Sequence, residues 1–176
     1  NAMSTLFSGA QNLGKSFMLP IAVLPAAGML LGFGGVFTNP VTISTYAFLD
    51  NNVVQAIFTV MKLCGSVVFD NLALLFSVGI AVGLARSDKG TAGLAAVLCF
   101  LVMNKAINAS LLLGGTLATD NLAAAGQASV LGITTLQTGV MGGLMSGFLT
   151  SWVHPRYCKT ELPTLPAFFK IGRVYA

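Results

Sequence analysis

The sequence predicts an all-α integral membrane protein, a bundle of about four to five transmembrane helices with a possible interfacial or re-entrant helix beside them. Three observations carry that class. First, 55% of the 176 residues are hydrophobic and 8% are charged, whereas an ordinary soluble domain carries about 25% charged residues. Second, four apolar stretches approach the roughly 20 residues that a helix needs to cross a bilayer. Third, the Lys and Arg residues alternate around those stretches as one topology would require.

The elements follow in chain order. Residues 1–3 read as a cloning scar ahead of a natural start at Met3. The first span, 17–37, lies within "KSFMLPIAVLPAAGMLLGFGG" and contains Pro20 and Pro25. A proline deletes a backbone hydrogen bond and kinks a helix. Neighbouring helices or water must then satisfy the freed carbonyl. Span one is therefore expected to be bent and packed inside a bundle. Residues 53–65 are apolar apart from Gln55 and Lys62. They form an interfacial helix, a re-entrant one, or the first part of a long tilted helix that continues into the second span, 67–85. The third span is 91–113. The fourth, 139–153, is short and can be extended back to about Leu136. The connection 114–137 is long for a structureless loop.

Lys15 precedes span one, Arg86 and Lys89 follow span two, and Arg156 and Lys159 follow span four. The loops 38–52 and 114–137 hold no Lys or Arg. Because positive residues favour the cytoplasmic side, both termini are expected on the cytoplasmic side of the membrane. Glycines four apart mark helix faces where a neighbour can approach closely. These are Gly28 and Gly32, Gly79 and Gly83, and Gly139, Gly143 and Gly147.

Polar residues inside the spans are the candidate functional groups. A charged side chain at mid-depth costs about 2.5 kcal/mol or more, so such groups face a partner or a watery cavity. Asp70, Asn71, Asn104, Lys105 and Asn108 are the candidates for a polar, substrate-lining surface. Asn104 and Asn108 share one helix face. A purely structural reading competes with this one: Asp70 would pair with Lys105 or Lys62, or a lysine would snorkel to the interface. No catalytic constellation stands out, and neither a metal nor a cofactor is expected. Cys64, Cys99 and Cys158 are far apart, and His154 is the only histidine. With nine basic and five acidic residues, unclustered, nucleic-acid binding is excluded.

Several stretches, in order, resemble one family. They are "LGKSFMLPIAVLPAAGMLLG" (13–32), "VVQAIFTVMKLCGSVVFDNLALLFSVGIAVGLARSDKG" (53–90), "VMNKAIN" (102–108), "SVLGITTLQTGVMGGLMSG" (129–147) and "ELPTLPAFF" (161–169). This pattern resembles the membrane permease domain, enzyme IIC, of the sugar phosphotransferase system, in its glucose superfamily and closest to the maltose/glucose branch. The resemblance implies a dimeric permease that moves a sugar across the inner membrane to a separate IIB domain, which phosphorylates it. Cys158 does not resemble the IIB phosphocysteine motif. Glucose or maltose is the implied sugar, with N-acetylated amino sugars as alternatives.

The pattern departs after "LPAFF". Residues 170–176, "KIGRVYA", do not match the Gly-rich basic continuation of the family. The sugar-binding glutamate and histidine of the C-terminal half have no counterpart, since Glu161 and His154 do not stand in those motifs. Residues 4–169 thus resemble an N-terminal scaffold and dimerisation half. That half is not expected to transport alone, or to bind much sugar alone. The alternative is a standalone small membrane protein that associates with a full-length permease and modulates it.

Overall fold

The structure, a computed structural model, describes residues 2–157. Cys158, Lys159, Glu161 and the tail 170–176 lie outside the described residues. Six α-helices run in the order α1 (Ala2–Phe37), α2 (Pro40–Thr45), α3 (Asn52–Asp70), α4 (Leu72–Leu84), α5 (Lys89–Leu113) and α6 (Gly139–Tyr157). A single 3-10 turn (Ala47–Leu49) follows α2, and a hairpin of β1 (Gln127–Val130) and β2 (Ile133–Leu136) precedes α6.

Among the described residues three helices are long and apolar enough to cross a membrane: Phe7–Phe37, Asn52–Asp70 and Lys89–Leu113. This redraws the expected second span. Residues 67–70 close α3, and the helix restarts as the 13-residue α4. Residues 53–65 belong to α3, a spanning-length helix. The physical reason is local. Asn71 turns its side-chain amide back onto the Val67 carbonyl at 2.9 Å. Its own N–H also reaches Val67, at 3.1 Å. Asn and Asp side chains that bond nearby backbone compete with helix continuation.

α1 is the long rail of the molecule. At 1.5 Å per residue its 36 residues span about 54 Å, well beyond the roughly 30 Å hydrocarbon core. It runs unbroken through Pro20 and Pro25. α3 and then α4 lie antiparallel along it. A Cβ placed on Gly65 would fall 2.5 Å from the Leu31 nitrogen, and one on Gly79 would fall 2.7 Å from the Pro20 ring. Phe37–Phe58 (4.6 Å between ring centroids) and Phe17–Phe76 (5.6 Å) add aromatic pairs to these two contacts. Gln55 Nε2 donates to the carbonyls of Phe37 and Leu49 at 3.1 and 2.9 Å. It thereby caps the end of α1, where helix carbonyls otherwise lack partners.

The core sits in α4, α5 and α6. Ile80, Ala81, Ala92, Ala96 and Phe100 are buried there, together with Ser77, Ser146 and Thr150. Small residues dominate because lipid removes the hydrophobic drive between helices, which leaves close packing and hydrogen bonds to hold them. α4 and α6 run parallel: a Cβ on Gly143 would strike the Ala73 carbonyl, and one on Gly147 would strike Ser77. Ser77 Oγ and Ser146 Oγ share a hydrogen bond of 3.0 Å across this seam.

The hairpin occupies the expected long loop. Its two-residue turn places both Leu131 (φ 51°) and Gly132 (φ 79°) in the left-handed region, as a type I′ turn requires. Gln127, 3% exposed, pins the preceding segment by donating to the Thr116 carbonyl (2.7 Å) and accepting from the Ala118 N–H (3.0 Å).

Basic residues gather at one end of the bundle. Ser16, next to Lys15, packs on Gly83. Arg86 and Lys89 flank the α4–α5 turn. His154 Nε2 lies 3.3 Å from the Ser87 carbonyl, and the Arg156 guanidinium covers the Trp152 ring at 4.2 Å.

Candidate functional site

The break between α3 and α4 opens onto a cavity of about 470 Å³. Its floor is the broken helix itself, from Phe69 to Leu74, and one wall is α5 through Phe100 and Asn104. The opposite wall is the hairpin strand Ala128 to Val130 with the start of α6, from Gln137 to Val140. The cavity therefore has three polar sources: a helix break, a buried α5 amide and a hairpin edge.

Two helix beginnings converge on it. Asn71 precedes α4, but its side chain makes no capping bond to the new helix. The first turn of α4 therefore starts without a side-chain cap. The first residues of α6, Gly139 and Val140, face the same space. The starts of two helices, with the positive ends of their dipoles, thus border one volume.

Asn104 is 1% exposed. Its Nδ2 donates to the Phe100 carbonyl at 2.8 Å. Its Oδ1 accepts no hydrogen bond among the described residues. Asp70 stands at the rim, exposed. It forms no ion pair among the described residues, so the expected pairing with Lys62 or Lys105 is corrected. Lys62 is exposed on α3, its backbone seated against Gly34.

Of the five polar candidates, Asp70, Asn71 and Asn104 line the cavity. Lys105 and Asn108 do not. Lys105 is exposed, and its Nζ donates to Asn108 Oδ1 at 3.1 Å. Asn108 Nδ2 in turn donates to the Thr134 carbonyl at 2.7 Å, tying α5 to the hairpin. Their places one turn or less from Asn104 hid the difference, because the hairpin covers that part of α5. The lining hydroxyls and amide of Ser129, Thr138 and Gln137 were missed in the sequence. The signal was present: "ASV" and "ITT" flank Leu131-Gly132, a two-residue hairpin pattern with glycine.

The glycines sort by geometry. Gly79, Gly83, Gly143 and Gly147 each stand where a Cβ would strike a neighbouring helix. Gly32 and Gly139 meet nothing within 4 Å, and Gly28 meets only the Phe69 ring at 4.0 Å. On α1 the close approach is instead at Gly34, whose added Cβ would lie 2.7 Å from the Lys62 Cα. Gly139 has φ 55°, a turn role at the junction of hairpin and α6.

A second cleft, about 360 Å³, lies between α5 and α6 near the basic end and is almost wholly apolar. Among the described residues no three His, Cys, Asp or Glu side chains are grouped to hold a metal. The mixed polar and apolar lining of the cavity at the α3–α4 break offers polar contacts to a solute.

The family model described as phosphotransferase system, EIIC, matches residues 14–171. The chain belongs to this EIIC family. Among relatives, the glucose-specific EIICBA component of the phosphotransferase system from Staphylococcus saprophyticus is 42% identical over 166 residues, covering 93% of this chain and 24% of that protein. The glucose-specific EIICBA component of Staphylococcus carnosus is 42% identical over 163 residues, with the same two shares covered. The chain thus spans about a quarter of the length of the curated relatives it matches. This EIIC segment carries the membrane helices and the cavity described above.

Proposed function

We propose that this chain serves as the scaffold half of a phosphotransferase-system sugar permease. It would associate with a second copy in the bacterial inner membrane, with both termini cytoplasmic. Transport of glucose, maltose or a related sugar would require the rest of the permease, and a IIB domain would perform the phosphorylation. The chain itself would not be an enzyme. The observation that carries this reading is the family match over 14–171, laid on three helices of spanning length. The gathering of Lys15, Arg86, Lys89 and Arg156 at one end supports cytoplasmic termini.

Glucose uptake in cells lacking their own glucose permease tests it. The chain alone should give no uptake. Co-expression with the remaining part of a Staphylococcus glucose-specific permease as a separate polypeptide should restore it. In detergent, light scattering should give the mass of two chains. Uptake by the chain alone would refute the scaffold role. A monomer that binds only an intact permease would favour the modulator alternative.

A further inference from the structure

We propose that the apolar cleft between α5 and α6 holds one acyl chain of an anionic phospholipid, whose headgroup rests on the basic residues at the cleft's mouth. The proposal needs the membrane fold and not the scaffold reading.

The cleft follows from how the two helices run. Ser87 lies beside His154, and a Cβ on Gly142 would fall 3.4 Å from the end of Met103, so α5 and α6 are antiparallel. Ala95 and Cys99, one turn apart, form the α5 wall, and α6 from Leu149 to Tyr157 forms the other. Small side chains at Ala95, Cys99 and Thr150 leave a space of about 360 Å³ between them. At 1.5 Å per residue the α6 wall is about 12 Å deep, close to the roughly 15 Å of hydrocarbon in one leaflet. A helix about 10 Å across would lie over such a cleft rather than inside it. A single row of methylenes fits within it.

The mouth of the cleft is basic. His154 lines the cleft, and its Nε2 lies 3.3 Å from the Ser87 carbonyl. That contact holds the α4–α5 turn over the end of α6, with Arg86 one residue from Ser87 and Lys89 two. Arg156 stands on α6 beside Tyr157, its guanidinium over the Trp152 ring at 4.2 Å. Arg86, Lys89 and Arg156 are exposed and form no ion pair among the described residues. Asp88 is the acidic residue of the turn, so the mouth carries three positive charges against one negative. Trp and Tyr mark the headgroup level of membrane helices, and the exposed Trp152 and Tyr157 set that level here.

The combination selects the ligand class. A soluble anion would meet the basic mouth but leave the apolar cleft empty. A zwitterionic lipid would fill the cleft but bring its own positive group to the basic mouth. An anionic phospholipid meets both: its chain covers the apolar walls, and its phosphate accepts from guanidinium groups, whose fork suits phosphate. Basic pockets between membrane helices recur as sites for such headgroups.

Trp152 is the single tryptophan of the chain and flanks the cleft, so its fluorescence is the reporter. The full chain is reconstituted in phosphatidylcholine vesicles, and brominated phosphatidylglycerol or brominated phosphatidylcholine is added at equal mole fraction as the quencher. Phosphatidylglycerol should be preferred about tenfold or more, since each Lys or Arg near a membrane surface adds about fivefold. Arg86→Gln together with Lys89→Gln should cut that preference at least fivefold. Ala95→Phe, which fills the cleft and leaves the basic residues in place, should abolish it. Lys105→Gln, on the far half of α5, should leave it unchanged. Should Ala95→Phe not fold, Cys99→Phe fills the same cleft one turn deeper. Four results would each overturn the proposal. The first is equal quenching by the two lipids. The second is a preference that survives filling of the cleft, which would mean attraction to surface charge alone. The third is a preference lost as much with Lys105→Gln. The fourth is quenching by both lipids that falls as the protein-to-lipid ratio rises, which would mean that a second copy covers the cleft. None of them bears on the uptake measurement, so the scaffold reading stands or falls separately.

Discussion

The seam between α4 and α6 and the seam between α1 and α3 are built from the same device and differ in what surrounds them. In both, glycine lets one backbone lie against another. Gly143 meets the Ala73 carbonyl, and Gly65 meets Leu31 and Ala27. The α4–α6 seam is enclosed. Gly142, Gly143, Ser146, Gly147 and Thr150 are buried along it, and α1 and α5 close its sides. α3 is almost free, since only 6% of its apolar stretch is buried. Val53, Ile57, Val60, Leu63 and Val67 all face outward. Close approach therefore does not define a core in this protein. Enclosure does.

Gly143→Ala should break the comparison most visibly. The new methyl would enter the Ala73 peptide, and neither helix has room to retreat. A loss of about 3 kcal/mol is expected, at the upper end for overpacking, read as a lower melting temperature in detergent. Gly65→Ala places a methyl equally close to backbone, but α3 can shift outward toward lipid. About 1 kcal/mol is expected, with Gly32→Ala, on α1 but facing away from the seam, as a control that costs nothing. If Gly65→Ala proved as costly as Gly143→Ala, α3 would be as confined as α6 and the contrast would fail.

Ser77→Ala sharpens the enclosed side. It removes the one side-chain hydrogen bond found between α4 and α6 among the described residues, and interhelical hydrogen bonds in membranes average about 0.6 kcal/mol. A loss much above that would mean that Ser146 has no other partner to turn to. Asp70→Ala should be the smallest effect, within about 0.5 kcal/mol, because Asp70 is exposed and unpaired among the described residues. A marked drop in melting temperature would restore the buried ion pair that the sequence suggested.

How much of this was legible depended on distance along the chain. Spans one and three could be read because their apolar runs are continuous, and α5 begins two residues before the expected 91. The α3–α4 boundary was misplaced. "GSVVFDNLALL" is apolar enough to read as helix throughout, and the break comes from one side-chain amide folding back on Val67. The hairpin was hidden by a loop whose composition is unremarkable, although Leu131-Gly132 carried its turn. At the site, Asp70, Asn71 and Asn104 could be chosen as polar residues in apolar surroundings. Nothing local separated them from Lys105 and Asn108, because that separation is made by a strand more than twenty residues away.

The sequence by itself determined that this chain lives in a membrane and which residues are costly there. Hydropathy and charge placement act residue by residue, and the bilayer answers to them directly. It determined the family as well, since ordered motifs along the chain are a property of sequence. The tertiary structure alone decided which glycines meet a neighbour, that α4 starts uncapped beside α6, and that an amide on α5 completes a polar cavity with them. Those are relations between segments far apart in the chain. They are fixed by helix direction and register, which the packing of the whole bundle sets.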